Sequence, residues 1–352
     1  MQTLTMLYII GLGLSSIEDI SLTGLNAVKK CSHIFLDAYT SILTHGIEDV
    51  SKVCGKEVKL ADREFVEQDE SIISLSKDED VAFLVVGDPL GATTHTDLII
   101  RAIQANIQYK VIHNASILTG VGCCGLQLYR YGETVSIPIW DELGSPESFY
   151  TKIMDNYGRG LHTLCLLDIK VKERSVENLL RDRKIYEPPR YMCCSEAAYQ
   201  ILEAGARIRQ RLKKAKEQGE ELDDCTPLPK CFLHPDCLAV CIARVGAADQ
   251  SIVVTTMGLL RTTLENATHP LLTALGAPLH SLVIPGKLHP LEEELLLARG
   301  WAPKEVLEGT ATSLPFVFPP GAENNLLVQE ELKMAAKAMF ARHDKLVDEA
   351  TG

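Results

Sequence analysis

Apolar positions in the first third of the chain fall into short continuous runs separated by stretches of helical period. Residues 7–10 form an apolar, β-favouring run that stops at Gly11-Leu12-Gly13. Ser15 and Glu18 then make a capping-box pattern, and Ile17, Ile20, Leu22, Leu25 and Val28 recur at helical spacing, predicting a helix through Lys30. Further strands are expected at 33–36, 81–86 and 109–113, with a helix over 94–105. Strands that are apolar throughout, separated by amphipathic helices, predict a largely parallel sheet covered on both faces.

Beyond Gly125 the alternation resumes. Strands are expected at 136–140, 162–169, 238–245, 252–256 and 280–284, and helices at 147–157, 176–183, 195–216 and 291–298. The pattern predicts an α/β fold of two α/β domains, 1–125 and 126–300, joined near the glycines of 122–125. A segment near 207–236 reads as an insertion: a basic stretch runs into an acidic one and then into a proline-containing one. Residues 301–352 read as a C-terminal extension with a helix at 325–346.

Composition narrows the class. The 352 residues are 46% hydrophobic and 23% charged, the balance of a globular protein large enough for two domains. The formal net charge of −12 argues against an unaided grip on nucleic acid. No apolar run reaches membrane-spanning length, and the opening segment, lacking a basic start, reads as a strand rather than a signal peptide. The eleven cysteines lie in apolar contexts such as those of Cys165 and Cys241, which suits a reducing cytoplasm better than a disulfide framework.

Candidate chemistry gathers at three strand ends. Gly11 and Gly13, with Asp37 closing the second strand, suggest a dinucleotide turn, although Ser16 stands where a third glycine belongs. The 85–91 turn places the Asp88 carboxylate and bare backbone at the carboxyl edge of the sheet, where α/β proteins bind ligands. As a plain turn, Asp88 would cap the segment after it. His113-Asn114-Ala115-Ser116-Ile117 ends the next strand, with Asn114 or Ser116 able to cap a helix. Cys231, His234, Cys237 and Cys241 superficially suggest zinc, but Cys241 lies in a strand pattern and no compact C-x-x-C pair exists, so no metal is expected. The basic run from Arg207 to Lys216 reads as a solvated helix face or a contact for an acidic partner. No HExxH, G-x-S-x-G or P-loop pattern occurs.

Longer motifs carry a resemblance. Met6-Leu-Tyr-Ile-Ile-Gly-Leu-Gly-Leu14, Gly87-Asp-Pro-Leu-Gly-Ala-Thr-Thr-His95, His113-Asn-Ala-Ser-Ile117 and Gly122-Cys-Cys-Gly-Leu-Gln-Leu-Tyr129 resemble the diphthine synthase family. So do Leu167-Asp-Ile-Lys-Val-Lys-Glu173, Tyr186-Glu-Pro-Pro-Arg-Tyr-Met192, Ala243-Arg-Val-Gly-Ala247 and Pro278-Leu-His-Ser-Leu282, and the double cysteine resembles its eukaryotic branch. The resemblance implies two α/β domains of the tetrapyrrole-methylase type, a homodimer, and S-adenosylmethionine held in a cleft between the domains. It implies a substrate on translation elongation factor 2, a histidine-derived side chain trimethylated on its amine and methylated on its carboxylate. Carried over by motif, cofactor contacts fall on Leu14, Asp88, Gly91, Ser116 and Ile117, and in the second domain on Leu167, Val245 and His280. Against that family the chain has a further insertion near 259–277.

Methyl transfer is an in-line displacement in which the protein mainly aligns donor and acceptor. No catalytic residue is therefore assigned from the sequence. The competing expectations are trimethylation alone, a nicotinamide-dependent oxidoreductase using Gly11, Gly13 and Asp37, and a non-catalytic module docking on the translation factor.

Overall fold

The computed structural model describes residues 5–39, 46–67, 70–142, 144–219, 228–265, 269–299 and 330–352. The chain separates into two compact units. One comprises residues 1–120, 169–189 and 245–247; the other comprises 121–168, 190–244 and 248–352.

The first unit is built on five strands: β1 (Met6–Gly11), β2 (His33–Asp37), β3 (Lys59–Ala61), β4 (Val81–Val85) and β5 (Gln108–Ile112). All pair in parallel, in the order β3-β2-β4-β1-β5. Successive side chains of a strand point to opposite faces, and here both faces are covered. Ile10, Leu36 and Leu84 pack with Val28 and Val50 on one side. Leu7, Ile9, Phe35 and Phe83 pack with Ile72 and Leu98 on the other. That double burial is why β4 reads as an unbroken apolar run.

Local details depart from the expected pattern. The capping box uses Ser16 and Asp19 on a short 3-10 turn, Ile17–Asp19, and Ser21 separately caps the helix Leu22–Lys30. The shift has a clear cause: the Asp19 carboxylate accepts from the backbone of both Ser15 and Ser16, which only the later frame permits. The helix Ile47–Cys54 and the edge strand β3 were not expected. Lys59 and Leu60 of β3 are exposed, so no apolar run announces it.

The second unit contains β6 (Val135–Ile137) and β7 (Thr163–Leu167). The two-residue strands β8 (Ile169–Lys170, in the first unit) and β9 (Arg190–Tyr191) follow, then β10 (Leu238–Ala243), β11 (Ser251–Thr256) and β12 (His280–Ile284). Its sheet runs β11-β10-β12-β7-β6, and only β6 and β7 pair in parallel. The parallel rhythm therefore does not continue. The connection from β10 to β11 is too short for a crossover helix, so the two strands close as an antiparallel pair. The long helix Cys194–Gln218 buries Ala197, Ala198, Ile201 and Ala204, and Gly205 lets the Tyr150 ring lie against it.

The expected extension is divided. Residues 301–329 lie outside the described residues, but Glu330–Thr351 is a helix whose Leu346 and Val347 belong to the core of the second unit. Part of the expected insertion, 220–227, also lies outside. The segment near 259–277 folds as the helices Met257–Thr262 and Pro270–Leu275, with Leu260, Leu271 and Leu275 buried. Among the described residues, no helix is long and apolar enough to cross a membrane.

Candidate functional site

In the first unit, the turns after β1 and β4 are stitched together. The Gly13 N–H donates to the Gly87 carbonyl at 3.2 Å and the Gly87 N–H donates back to Gly13 at 2.7 Å. Both residues have left-handed backbone, with φ of 88° and 81°, which glycine adopts without steric cost. Gly11 is needed for a different reason: a Cβ there would lie 2.6 Å from the Gly87 carbonyl oxygen and 2.8 Å from the Asn114 Cβ. The β5 end joins the same knot. Asn114 Nδ2 donates to the carbonyls of Gly11 and Asp19, both at 3.0 Å.

Asp88 fastens the β4 turn to the β5 end. Its Oδ1 accepts from the Leu90 N–H at 2.9 Å, while Oδ2 accepts from the Asn114 N–H at 3.1 Å and from His113 Nδ1 at 2.8 Å. Burial pushes this carboxyl upward, but the backbone donors of Leu90 and Asn114 and the His113 ring outweigh it and hold the group below the usual aspartate range. Gly91 sits beside it; a Cβ there would meet the Ser116 hydroxyl at 2.8 Å and the Asp88 Cβ at 3.3 Å. Ser116 Oγ accepts from the Leu118 N–H at 3.3 Å, so Ser116, not Asn114, caps the short helix Ile117–Gly120.

Leu14 completes the cluster. Its side chain fills the space a Cβ on Gly120 would need, at 2.9 Å, and Val245 lies 3.2 Å from the same point. Val245, expected in the second domain, belongs to the first unit. The first unit thus contains Leu14, Asp88, Gly91, Ser116, Ile117 and Val245. Leu167 and His280 stand in the second unit, where Leu167 ends β7 opposite Ile137 and His280 opens β12 opposite Ala243. His280 Nε2 lies 3.2 and 3.1 Å from the carbonyls of Gly276 and Ala277. Burial alone would lower its pKa; Cys194 and these carbonyls outweigh that and raise it.

Asp37 has a different role from the one its position suggested. It is buried, accepts from the Tyr39 N–H at 3.1 Å, and faces His95 Nε2 at 3.7 Å. His95 is wedged against Phe83 and Tyr39, and its Nδ1 lies 3.3 Å from the Pro89 carbonyl. A carboxylate enclosed in this way cannot read a ribose hydroxyl, so the nicotinamide expectation loses its acid.

Two other motifs take part in packing. Cys237 bonds the Tyr157 hydroxyl at 3.1 Å, Cys231 faces the Met154 carbonyl at 3.7 Å, and Cys241 is buried inside β10. His234 Nδ1 accepts from the Asp236 N–H. Of the basic helix, Arg207 lies over the Trp140 ring, Arg209 over the Phe232 ring, and Arg211 pairs with Glu147. These arginines make contacts within the chain, while Arg209, Arg211, Lys213, Lys214 and Lys216 stay exposed, so the helix keeps a basic outer face.

These strand ends form a base of bare glycine backbone flanked by apolar Leu14 and Val245 and polar Asp88 and Ser116. A model of the tetrapyrrole (corrin/porphyrin) methylases matches residues 6–204, more than half of the chain. The chain belongs to that family, and its chemistry is methyl transfer. Its relatives are more particular. It is 53% identical to diphthine methyl ester synthase of Mus musculus over 83% of this chain and 95% of that protein. It is 48% identical to diphthine methyl ester synthase of Schizosaccharomyces pombe over 83% and 94% respectively. A crystal structure of diphthine synthase, 27% identical, superposes with a TM-score of 0.63 over 83% of this chain and 94% of that one.

Proposed function

We propose that the chain catalyses the diphthine methyl ester synthase reaction. In that reaction S-adenosylmethionine donates methyl groups to the modified histidine side chain of translation elongation factor 2, three to its amine and one to its carboxylate. The observation that carries this reading is the 53% identity to the mouse enzyme across nearly its whole length. We further propose that the chain acts as a homodimer in the cytoplasm.

The residues present fit the cofactor. Gly87 and Gly91 bare the backbone at the β4 end, and the space a Gly91 Cβ would fill lies against the Ser116 hydroxyl. The proposed contacts are Leu14, Asp88, Gly91, Ser116, Ile117, Leu167, Val245 and His280. When bound, S-adenosylmethionine supplies an electrophilic methyl group and needs no protein nucleophile. The chain's part is alignment and exclusion of water. Asp88, tied by three donors, holds the β4 turn in one shape against the β5 end, and Leu14 and Val245 offer apolar surface beside it.

The test is mass spectrometry of elongation factor 2 carrying the unmethylated intermediate, incubated with the protein and S-adenosylmethionine. Four added methyl groups are expected. Three would mean that the carboxylate is left unmethylated. No gain in mass with S-adenosylmethionine still bound would mean a docking module, and neither gain nor binding would remove the cofactor assignment.

A further inference from the structure

Methylating a carboxylate and methylating an amine place different demands on a site. An ionised carboxylate already presents its electron pair, whereas an ammonium must lose a proton before its nitrogen can accept a methyl group. The Asp88–His113 pair answers that second demand. Two of the three donors to Asp88 are backbone N–H groups, and an ionised carboxylate offers only acceptors. His113 Nδ1, 2.8 Å from Oδ2, therefore carries the hydrogen of this contact. In the neutral ring this contact leaves the free electron pair on the other nitrogen, Nε2, since the partner of one imidazole nitrogen sets the tautomer.

Position adds to chemistry. The His113 side chain is 66% exposed while Asp88 is only 15% exposed, so the carboxylate is sheltered and the ring projects to solvent. The pair stands at the strand ends that carry Gly91 and Ser116. The other histidines described in this unit do not share the arrangement. His95 is buried beneath the turn, and His33, at the opposite end of β2, pairs with Glu79.

We propose that His113 is the proton acceptor for the amine methylations, with Asp88 as its positioning residue. The inference rests on the functional reading above, in which an amine and a carboxylate of one side chain are both methylated. In each cycle the substrate N–H bond breaks and an Nε2–H bond forms. The electron pair stays on the substrate nitrogen, which becomes the nucleophile. The imidazolium then returns its proton to bulk water from its exposed side, so one proton is released per methyl group placed on nitrogen. Asp88 remains ionised throughout and keeps the ring in its Nδ1–H form.

Two measurements test this. In cofactor-free protein labelled with 15N-histidine, with His113→Gln assigning the resonance, His113 is expected as the Nδ1–H tautomer; the Nε2–H tautomer would overturn the proposal. Methylation is then compared on two forms of elongation factor 2, one with the unmethylated amine and one with the amine already trimethylated. In His113→Gln and His113→Ala, the ratio of amine to carboxylate methylation is expected to fall about a hundredfold, the lower end of general base effects. Added imidazole is expected to restore part of the amine reaction in His113→Ala. Equal loss of both reactions would make His113 merely structural, and an unchanged ratio would assign the proton to solvent. If the unsubstituted protein transfers no methyl group, the functional reading itself fails and the base falls with it.

Discussion

Gly11 shows how narrowly the strand ends tolerate a side chain. Its missing Cβ is what allows the Gly87 carbonyl, the Asn114 side chain and the Pro89 ring to converge. Gly11→Ala is expected to destabilise the protein by about 1–3 kcal/mol, the usual cost of overpacking. A urea titration reading a lower midpoint at unchanged slope would show it. Asn114 is the residue here that sequence reasoning undervalued. It looked like a helix cap, yet its carboxamide donates to two carbonyls, those of Gly11 and Asp19, 103 and 95 positions away in the chain. Nothing local in a sequence marks a side chain whose partners are so distant.

Among the elements, the C-terminal helix Glu330–Thr351 departs furthest from its expected role. It looked like an appendage, but it closes the core of the second unit with Leu346 and Val347, and Phe340 is also buried. Phe340→Ala is expected to cost about 3–5 kcal/mol through the cavity it leaves, again read from the denaturation midpoint. His343 of the same helix reaches across to the sheet, accepting from the Leu238 N–H at 3.1 Å through Nδ1 and donating from Nε2 to the Gly286 carbonyl at 3.0 Å. The long helix Cys194–Gln218 was legible because its apolar positions keep helical period. The basic run within it proved to be packing as well as solvation, with two arginines laid over aromatic rings.

For the whole molecule, His343 also predicts how stability responds to acid. Burial pushes it down to about 4 in the folded protein, against about 6.5 in the unfolded chain. Between these values the unfolded chain binds the extra proton, so the stabilising contribution is complete above about pH 6.5 and is lost as pH falls toward 4. From pH 7 to pH 5 this one group is expected to remove about 2 kcal/mol. Urea denaturation at the two pH values should show that loss in the unsubstituted protein and a smaller pH-dependent loss in His343→Gln. Equal losses in the two proteins would show that other groups set the acid limit.

At this scale the division between sequence and structure is clear. The chain's pattern by itself determined the buried strands β1, β2 and β4, the turns that end them, and the helices of clear period, because burial on both faces demands apolar runs and local turns demand glycine. It also carried the motifs from which the family could be recognised. Tertiary structure alone decided that Asp37 is enclosed by His95 and Tyr39 rather than presented to a ligand, since burial depends on what packs above a strand end. It decided that the second sheet is mostly antiparallel, because strand direction follows from connection geometry rather than from composition. And it paired Asp88 with His113, 25 positions apart in sequence, because parallel strands bring their carboxyl ends to one edge whatever the length of chain between them.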